Sequence, residues 1–181
     1  MRTELIIRFD YGRSIPWVTR REDRTLCAVS GPDMVVLRTP VSLRGEGRKT
    51  VGEFTVSAGD TVPFVLTYGA SHLEPPAQID PMVALADTEA FWRDWSSQFQ
   101  GAGEWSEPVM RSLITLKALT YRPTGGIVAA ATTSLPERLG GPRNWDYRFC
   151  WIRDATFTLL ALMNAGYYEE AKAWRAWLVR A

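Results

Sequence analysis

The sequence predicts a multidomain chain that is β first and α second: an antiparallel β-sandwich or meander followed by helices of the kind that build an α/α toroid. Three observations predict it. Short alternating apolar runs separated by glycine-rich turns fill residues 1–74. The apolar period then changes from two to about 3.6 after a proline-bearing boundary at Ser71 to Ala77. The later helices are apolar on most of their circumference and joined as hairpins, which suits a layered helical assembly. The expected division is a sandwich domain over 1–74, a linker with a helix over 75–104, and the beginning of a helical barrel over 105–181.

The first strand is expected over Glu4 to Asp10, where Leu5, Ile7 and Phe9 alternate with Ile6, Arg8 and Asp10. Similar runs follow at Ile15 to Arg20, Leu26 to Ser30, Met34 to Thr39, Thr50 to Val56 and Val62 to Tyr68. Tyr11-Gly12-Arg13, Gly31-Pro32-Asp33, Gly45-Glu46-Gly47 and Ala58-Gly59-Asp60 supply the turns between them. Val62, Phe64, Leu66 and Tyr68 form the clearest stripe expected to be buried, and the aromatic residues of this half, Trp17 included, are expected to fill a core.

Asp80-Pro81 has the form of a helix cap followed by proline at the first helical position. Leu85, Thr88, Trp92, Trp95 and Phe99 then fall on one stripe at helical spacing. Gly101-Ala102-Gly103 breaks this helix, and Ser106-Glu107-Pro108 begins another, expected to run through Leu113 to Tyr121 before Pro123 stops it. Ile127 to Ala131 is a small-residue extended stretch, and Thr132 to Pro142 a long loop. A third helix is expected over Ala155 to Ala165, closed by Gly166 in a left-handed cap, and a fourth from Tyr168, with Ala171, Trp174 and Leu178 on one stripe.

Composition narrows the functions available. With 181 residues, 46% of them hydrophobic, the chain can bury a core, and 21 basic against 20 acidic residues leave no electrostatic footprint for a nucleic acid. His72 is the only histidine, which argues against a Ser-His-Asp site and a histidine-built zinc site. Cys27 and Cys150 lack metal-ligand spacing and are expected to be reduced thiols; no cofactor or metal is expected. The absence of a bilayer-length apolar run and of a secretory signal points to a cytoplasmic protein without a membrane partner. Carboxylates, arginines and aromatics remain for chemistry.

These residue types concentrate in Arg143 to Asp154, which reads Arg-Asn-Trp-Asp-Tyr-Arg-Phe-Cys-Trp-Ile-Arg-Asp. Flat apolar faces beside charged, bidentate hydrogen-bonding groups are what a polyhydroxylated ring needs from its binding site. On the residues alone a second reading stands beside this one, in which Asp154 caps a helix and the aromatics fill a core. Glu137, Arg138 and Arg143 are expected to be a solvated loop rim or loop-ordering pairs.

The run from Asn144-Trp145-Asp146-Tyr147 through Trp151-Ile152-Arg153-Asp154, preceded by Gly125-Gly126-Ile127-Val128-Ala129-Ala130 and Thr133-Ser134-Leu135-Pro136-Glu137, resembles the first substrate-binding segment of family 15 glycoside hydrolases, the glucoamylase, glucodextranase and bacterial trehalase relatives. The resemblance implies a partial β-sandwich, with further strands before Met1, followed by the first helices of an (α/α)6 catalytic barrel. It also implies that Tyr147, Trp151, Arg153 and Asp154 hold the terminal glucose of an α-glucoside substrate, and that hydrolysis proceeds with inversion. The family's acid and base glutamates lie far downstream of this element, so no catalytic residue is assigned up to Ala181 and the isolated chain is expected to be inactive.

Asp146 and Asp154 are the only carboxylates of the dense segment and are the alternative acid and base pair. A guanidinium next in sequence favours the charged form of a carboxylate, which fits Asp154 to accept hydrogen bonds rather than to donate a proton. Neighbouring residues on a regular helix face different ways, so Arg153 and Asp154 are expected to reach one ligand only from the irregular start of their helix. The reading from a different functional class is a non-catalytic carbohydrate-binding or inert fragment. Oligomeric state and the choice among trehalose, maltodextrin and dextran are not written in these residues.

Overall fold

The computed structural model describes residues 1–132 and 138–181. Two compact units, Met1–Asp87 and Thr88–Ala181, follow one another along the chain. Among the described residues the order is antiparallel sheets first and four α-helices second, as the change of apolar period requires.

In the first unit β1 (Arg2–Leu5), β5 (Leu43–Glu46) and β6 (Lys49–Glu53) form a sheet of order β1-β6-β5, and β2 (Trp17–Arg20), β3 (Leu26–Ser30), β4 (Asp33–Arg38) and β7 (Val65–Ala70) form one of order β2-β3-β4-β7. Every pairing is antiparallel. The core of this unit gathers Cys27, Met34 and Val36, with Val29 against it. The pairing register places Cys27, Val36 and Thr67 opposite one another on one face of the four-stranded sheet.

Three expectations for this unit are corrected. Leu43–Glu46 is a strand, not part of a turn: the hairpin turns at Gly47-Arg48, with Gly47 at φ 62° and Glu46 paired to Lys49. Trp17 does not fill a core; it lies on an edge strand and is 78% exposed. Phe64, Leu66 and Tyr68 are also exposed, the last 66%, while Val65, Thr67 and Gly69 are the more covered set. Alternation in sequence marks two faces of a strand without saying which one meets the core; here Thr67 shares the face of buried Val36, while Leu66 and Tyr68, paired with Leu37 and Val35, lie on the other face of a strand at the sheet edge.

The second unit contains most of α1 (Pro81–Ser97), then α2 (Ser106–Ala118), the short pair β8 (Thr120–Tyr121) and β9 (Gly126–Ile127), α3 (Ile152–Asn164) and α4 (Glu169–Arg180). Asp80 starts α1 as its chemistry predicts: its Oδ1 accepts from the backbone N–H of Met82 at 2.8 Å and of Val83 at 3.1 Å. Asp80→Ala is therefore expected to destabilise α1 by about 1 kcal/mol, read as a lowered denaturation midpoint, whereas Asp80→Asn should retain most of the cap. The second helix ends three residues before the expected Tyr121, because Thr120 and Tyr121 pair with Ile127 and Gly126 across a turn in which Gly125 takes φ 87°.

The third helix closes as expected on Gly166, at φ 93°. Gly166 donates to the carbonyl of Met163 and Tyr167 to that of Leu162, and Leu162 and Tyr167 lie in one core cluster, which completes a Schellman cap with its apolar contact. That cluster joins Trp95 and Leu113 to Leu162 and Tyr167, and a second gathers Ile127, Ala155 and Leu159. Trp95 and Trp92 thus pack inward at the end of α1, while Leu85 is exposed.

A charge lies in this core. Glu170 is 5% exposed, accepts from Lys117 Nζ at 2.7 Å and from Trp95 Nε1 at 3.0 Å, and so ties α1, α2 and α4 together. Burial pushes its carboxyl upward, but the bonds from Lys117 and Trp95 outweigh burial and the net effect holds it below the usual carboxylate range. A folded pKa below the unfolded one contributes stability that is fully present above the unfolded value, about 4.3, and is lost as pH falls through the folded value. Urea midpoints measured between pH 6 and pH 3 are expected to fall below about pH 4.3, with that slope reduced in Glu170→Gln. Cys27 and Cys150 are unpaired thiols, the first buried and the second half-buried.

Candidate functional site

The dense segment is built by three local devices. First, it is pinned to the extended stretch after β9: Ala129 N–H donates to the carbonyl of Phe149 at 3.1 Å and Ala130 N–H to that of Tyr147 at 2.8 Å. Val128 N–H donates in turn to Leu119, at the end of α2. The small residues at 129–130 let the two backbones approach. Second, Asn144 Nδ2 donates to the carbonyl of Gly141 at 2.8 Å, which folds the entry to the segment on itself. Third, Asp146 folds the segment's centre. Its Oδ1 accepts from the backbone N–H of Arg148 at 3.0 Å and from Nε at 3.1 Å, and its Oδ2 accepts from Nη2 at 2.7 Å.

On this frame Tyr147 and Trp151 meet, with ring centroids 5.7 Å apart and planes inclined by 33°. Trp145 stands edge-on to Trp151 at 6.4 Å. The indole N–H of Trp151 donates to the Asp146 carbonyl at 3.3 Å, so its ring is oriented as well as packed. Tyr147 and Trp151 are half-buried, and Trp145 and Phe149 are exposed.

The ionic pair sits one step further on. The third helix begins at Ile152, with Trp151 as N-cap residue, three residues earlier than the expected Ala155. Arg153 and Asp154 therefore occupy its first turn. Side chains one residue apart on a helix diverge by about 100°. Asp154 accordingly lies on the side that continues into buried Ala155, Thr158 and Leu162, and Arg153 on the open side with Thr156 and Phe157. The long arginine spans that gap: Nη2 reaches Asp154 Oδ2 at 3.2 Å, with side-chain exposures of 70% and 31%. Asp154 accepts from its neighbour and no side chain caps this helix, so the capping reading of Asp154 is not met.

Of the four residues assigned from the sequence, the structure brings Tyr147 to Trp151 and Arg153 to Asp154. Among the described residues no hydrogen bond or ring contact joins the first pair to the second. Cavities of about 660 and 400 Å³ lie in the first unit and one of about 430 Å³ lies between α2 and α3; none of the four residues lines them. Each carboxylate of the segment is already matched to a guanidinium, Asp146 to Arg148 and Asp154 to Arg153. Such groups present a planar donor and acceptor array to hydroxyls. The Asp146 and Arg148 pair was not evident in sequence reasoning; its signal was the Asp-x-Arg spacing, which fits an Asx turn closed by a bidentate ion pair. Arg138 and Arg143 are exposed, in keeping with a loop rim. Thr133 to Glu137, which carry part of the family resemblance, lie outside the described residues. No group of metal-binding side chains occurs among the described residues, and no described helix is long and apolar enough to cross a membrane.

The family model of glycosyl hydrolases family 15 matches residues 104–181. A trehalase of Thermoplasma volcanium is 35% identical over 163 residues, covering 90% of this chain and 26% of that protein. A trehalase of Mycolicibacterium smegmatis is 38% identical over 162 residues, covering 89% of this chain and 23% of that protein. Trehalase 1 of Sulfolobus acidocaldarius is 52% identical over 61 residues, or 34% of this chain. The chain thus spans about a quarter of the length of the first two relatives. No solved structure matches it.

Proposed function

We propose that this chain, similar to family 15 glycosyl hydrolases over residues 104–181, is the glucose-holding part of a trehalase-like enzyme that hydrolyses terminal α-linked glucose with inversion. The observation that carries the reading is the pairing of the Tyr147 and Trp151 rings, 5.7 Å apart, with Trp151 standing immediately before a helix whose first turn holds the Arg153 and Asp154 ion pair. An aromatic face takes the apolar C–H surface of a pyranose, and the Arg153 and Asp154 pair donates to and accepts from its hydroxyls. Arg153, open to solvent, meets the ligand first; Asp154 is the more fixed of the two. Trehalose is the first substrate to test, because the relatives named above are trehalases, and maltose is the second.

Inverting hydrolysis needs a carboxylic acid at the leaving oxygen and a carboxylate that activates water on the opposite face. Asp154, engaged by Arg153, fits ligand holding better than either role, and the carboxylate of Asp146 is taken up by Arg148. The same proposal assigns the acid and base to residues beyond 181, in an (α/α)6 barrel of which the second unit is the first part. The soluble, cytoplasmic setting expected from the sequence belongs to the same proposal.

Purified residues 1–181 are expected to release no glucose from trehalose or maltose, yet to bind glucose and trehalose in calorimetric titration. Arg153→Ala should weaken that binding about tenfold or more, the scale of losing a charge-assisted hydrogen bond. Glucose release that disappears with Arg153→Ala would place the chemistry inside this chain after all. Absence of binding to either sugar, from a chain shown to be folded, would sink the glucose-holding role and favour an inert fragment.

A further inference from the structure

We infer that Asp146 and Arg148 are positioning residues for the sugar-binding wall, acting through Trp151 and Tyr147 rather than by touching sugar; the ligand part of this inference rests on the function proposed above. Asp146 is used at both ends. Its carboxylate accepts three times from Arg148, from the backbone N–H, Nε and Nη2, at 3.0, 3.1 and 2.7 Å. Its backbone carbonyl accepts the indole N–H of Trp151. The turn that the carboxylate closes therefore fixes the direction of the carbonyl that orients the indole. Tyr147 lies inside the same turn, between Asp146 and Arg148, with its own carbonyl held by Ala130 N–H at 2.8 Å. Two independent anchors thus set the two rings whose faces are 33° apart.

The pair is half-buried, with side-chain exposures of 34% for Arg148 and 32% for Asp146, and its charges cancel beside the aromatic faces. A fork matched to both carboxylate oxygens is a geometric demand as well as a charge, and lysine does not reproduce it. Outer partners that orient metal ligands change metal affinity by about 10- to 100-fold when lost without touching the metal, and the lower end of that range is the expectation taken over to the rings.

The test uses the 181-residue chain labelled with 5-fluorotryptophan, the Trp151 fluorine resonance being assigned by its disappearance in Trp151→Phe. Asp146→Ala and Arg148→Lys are expected to shift or broaden that resonance and to raise the dissociation constant for glucose and trehalose about tenfold. Asp146→Asn, which keeps the Oδ1 acceptor, is expected to fall between them and the unaltered chain. Thermal midpoints recorded in parallel separate loss of orientation from loss of fold. A Trp151 resonance unmoved by Asp146→Ala overturns the inference, and so does a moved resonance with unchanged sugar affinity. Sugar binding that needs Arg153 but ignores Asp146→Ala overturns the clamp alone; an unaltered chain that binds neither sugar overturns the functional reading with it.

Discussion

Glu170→Ala is expected to lower the unfolding free energy of the helical unit by about 3–5 kcal/mol, the scale of breaking a buried ion pair from one side. Truncation would leave the Lys117 ammonium, at 22% side-chain exposure, without its carboxylate 2.7 Å away. The buried Trp95 Nε1–H would lose its acceptor as well. Three helices are held by this one side chain, so the loss is spread over α1, α2 and α4 rather than confined to a surface. Lysine also lies 5.9 Å from the centroid of the Trp95 ring, which gives it a weaker second partner and sets a limit to the damage. The decisive comparison is a double replacement. Because removing both charges spares the cost of stranding one, Lys117→Met with Glu170→Met is expected to be less destabilising than Glu170→Met alone. Urea denaturation followed by circular dichroism measures all three; equal losses would show that the pair is not coupled.

Gly125→Ala is expected to be comparably severe, at about 3 kcal/mol or more, for a different reason. A methyl group there would lie 2.4 Å from the Ala173 carbonyl oxygen and 2.6 Å from its carbon, both of them backbone atoms of α4. A helix backbone cannot yield as a flexible side chain does, so the β8–β9 turn or the helix must shift. The positive φ of 87° adds the ordinary penalty of a left-handed conformation, about 1–2 kcal/mol. Gly166 separates the two contributions. It has φ 93°, but a methyl group added there would meet nothing within 4 Å, so Gly166→Ala should cost only the conformational share. Equal denaturation midpoints for the two alanine variants would show that contact with α4 is unimportant.

The features legible in the sequence were those decided within a few residues. Asp80-Pro81 and Gly166 carry their chemistry in the backbone positions they favour, and both helix boundaries lie where that chemistry puts them. The change from strands to helices was legible for the same reason, since period is a local property. What the local pattern left undecided was which face meets which partner. Leu66 and Tyr68 alternate as core residues do, yet their exposure depends on where β7 falls in the strand order. Glu170 and Lys117 are 53 residues apart, and nothing in either neighbourhood announces their meeting. At the candidate site, Tyr147, Trp151, Arg153 and Asp154 were named through the family resemblance, the residues alone leaving a capping and core-filling alternative open. The Asp146 turn that arranges the rings was not, because a carboxylate in such a segment suggests an acid before it suggests a turn.

The placement of the two thiols has a practical consequence. Cys27 belongs to the buried centre of the sheet unit and Cys150 to the helical unit, beside the strand that begins at Gly126. Alkylation kinetics at increasing urea can therefore report on each lobe from a native reporter, with no label introduced. Coincident protection factors would describe one cooperative melting event, and separate ones two autonomous foldons.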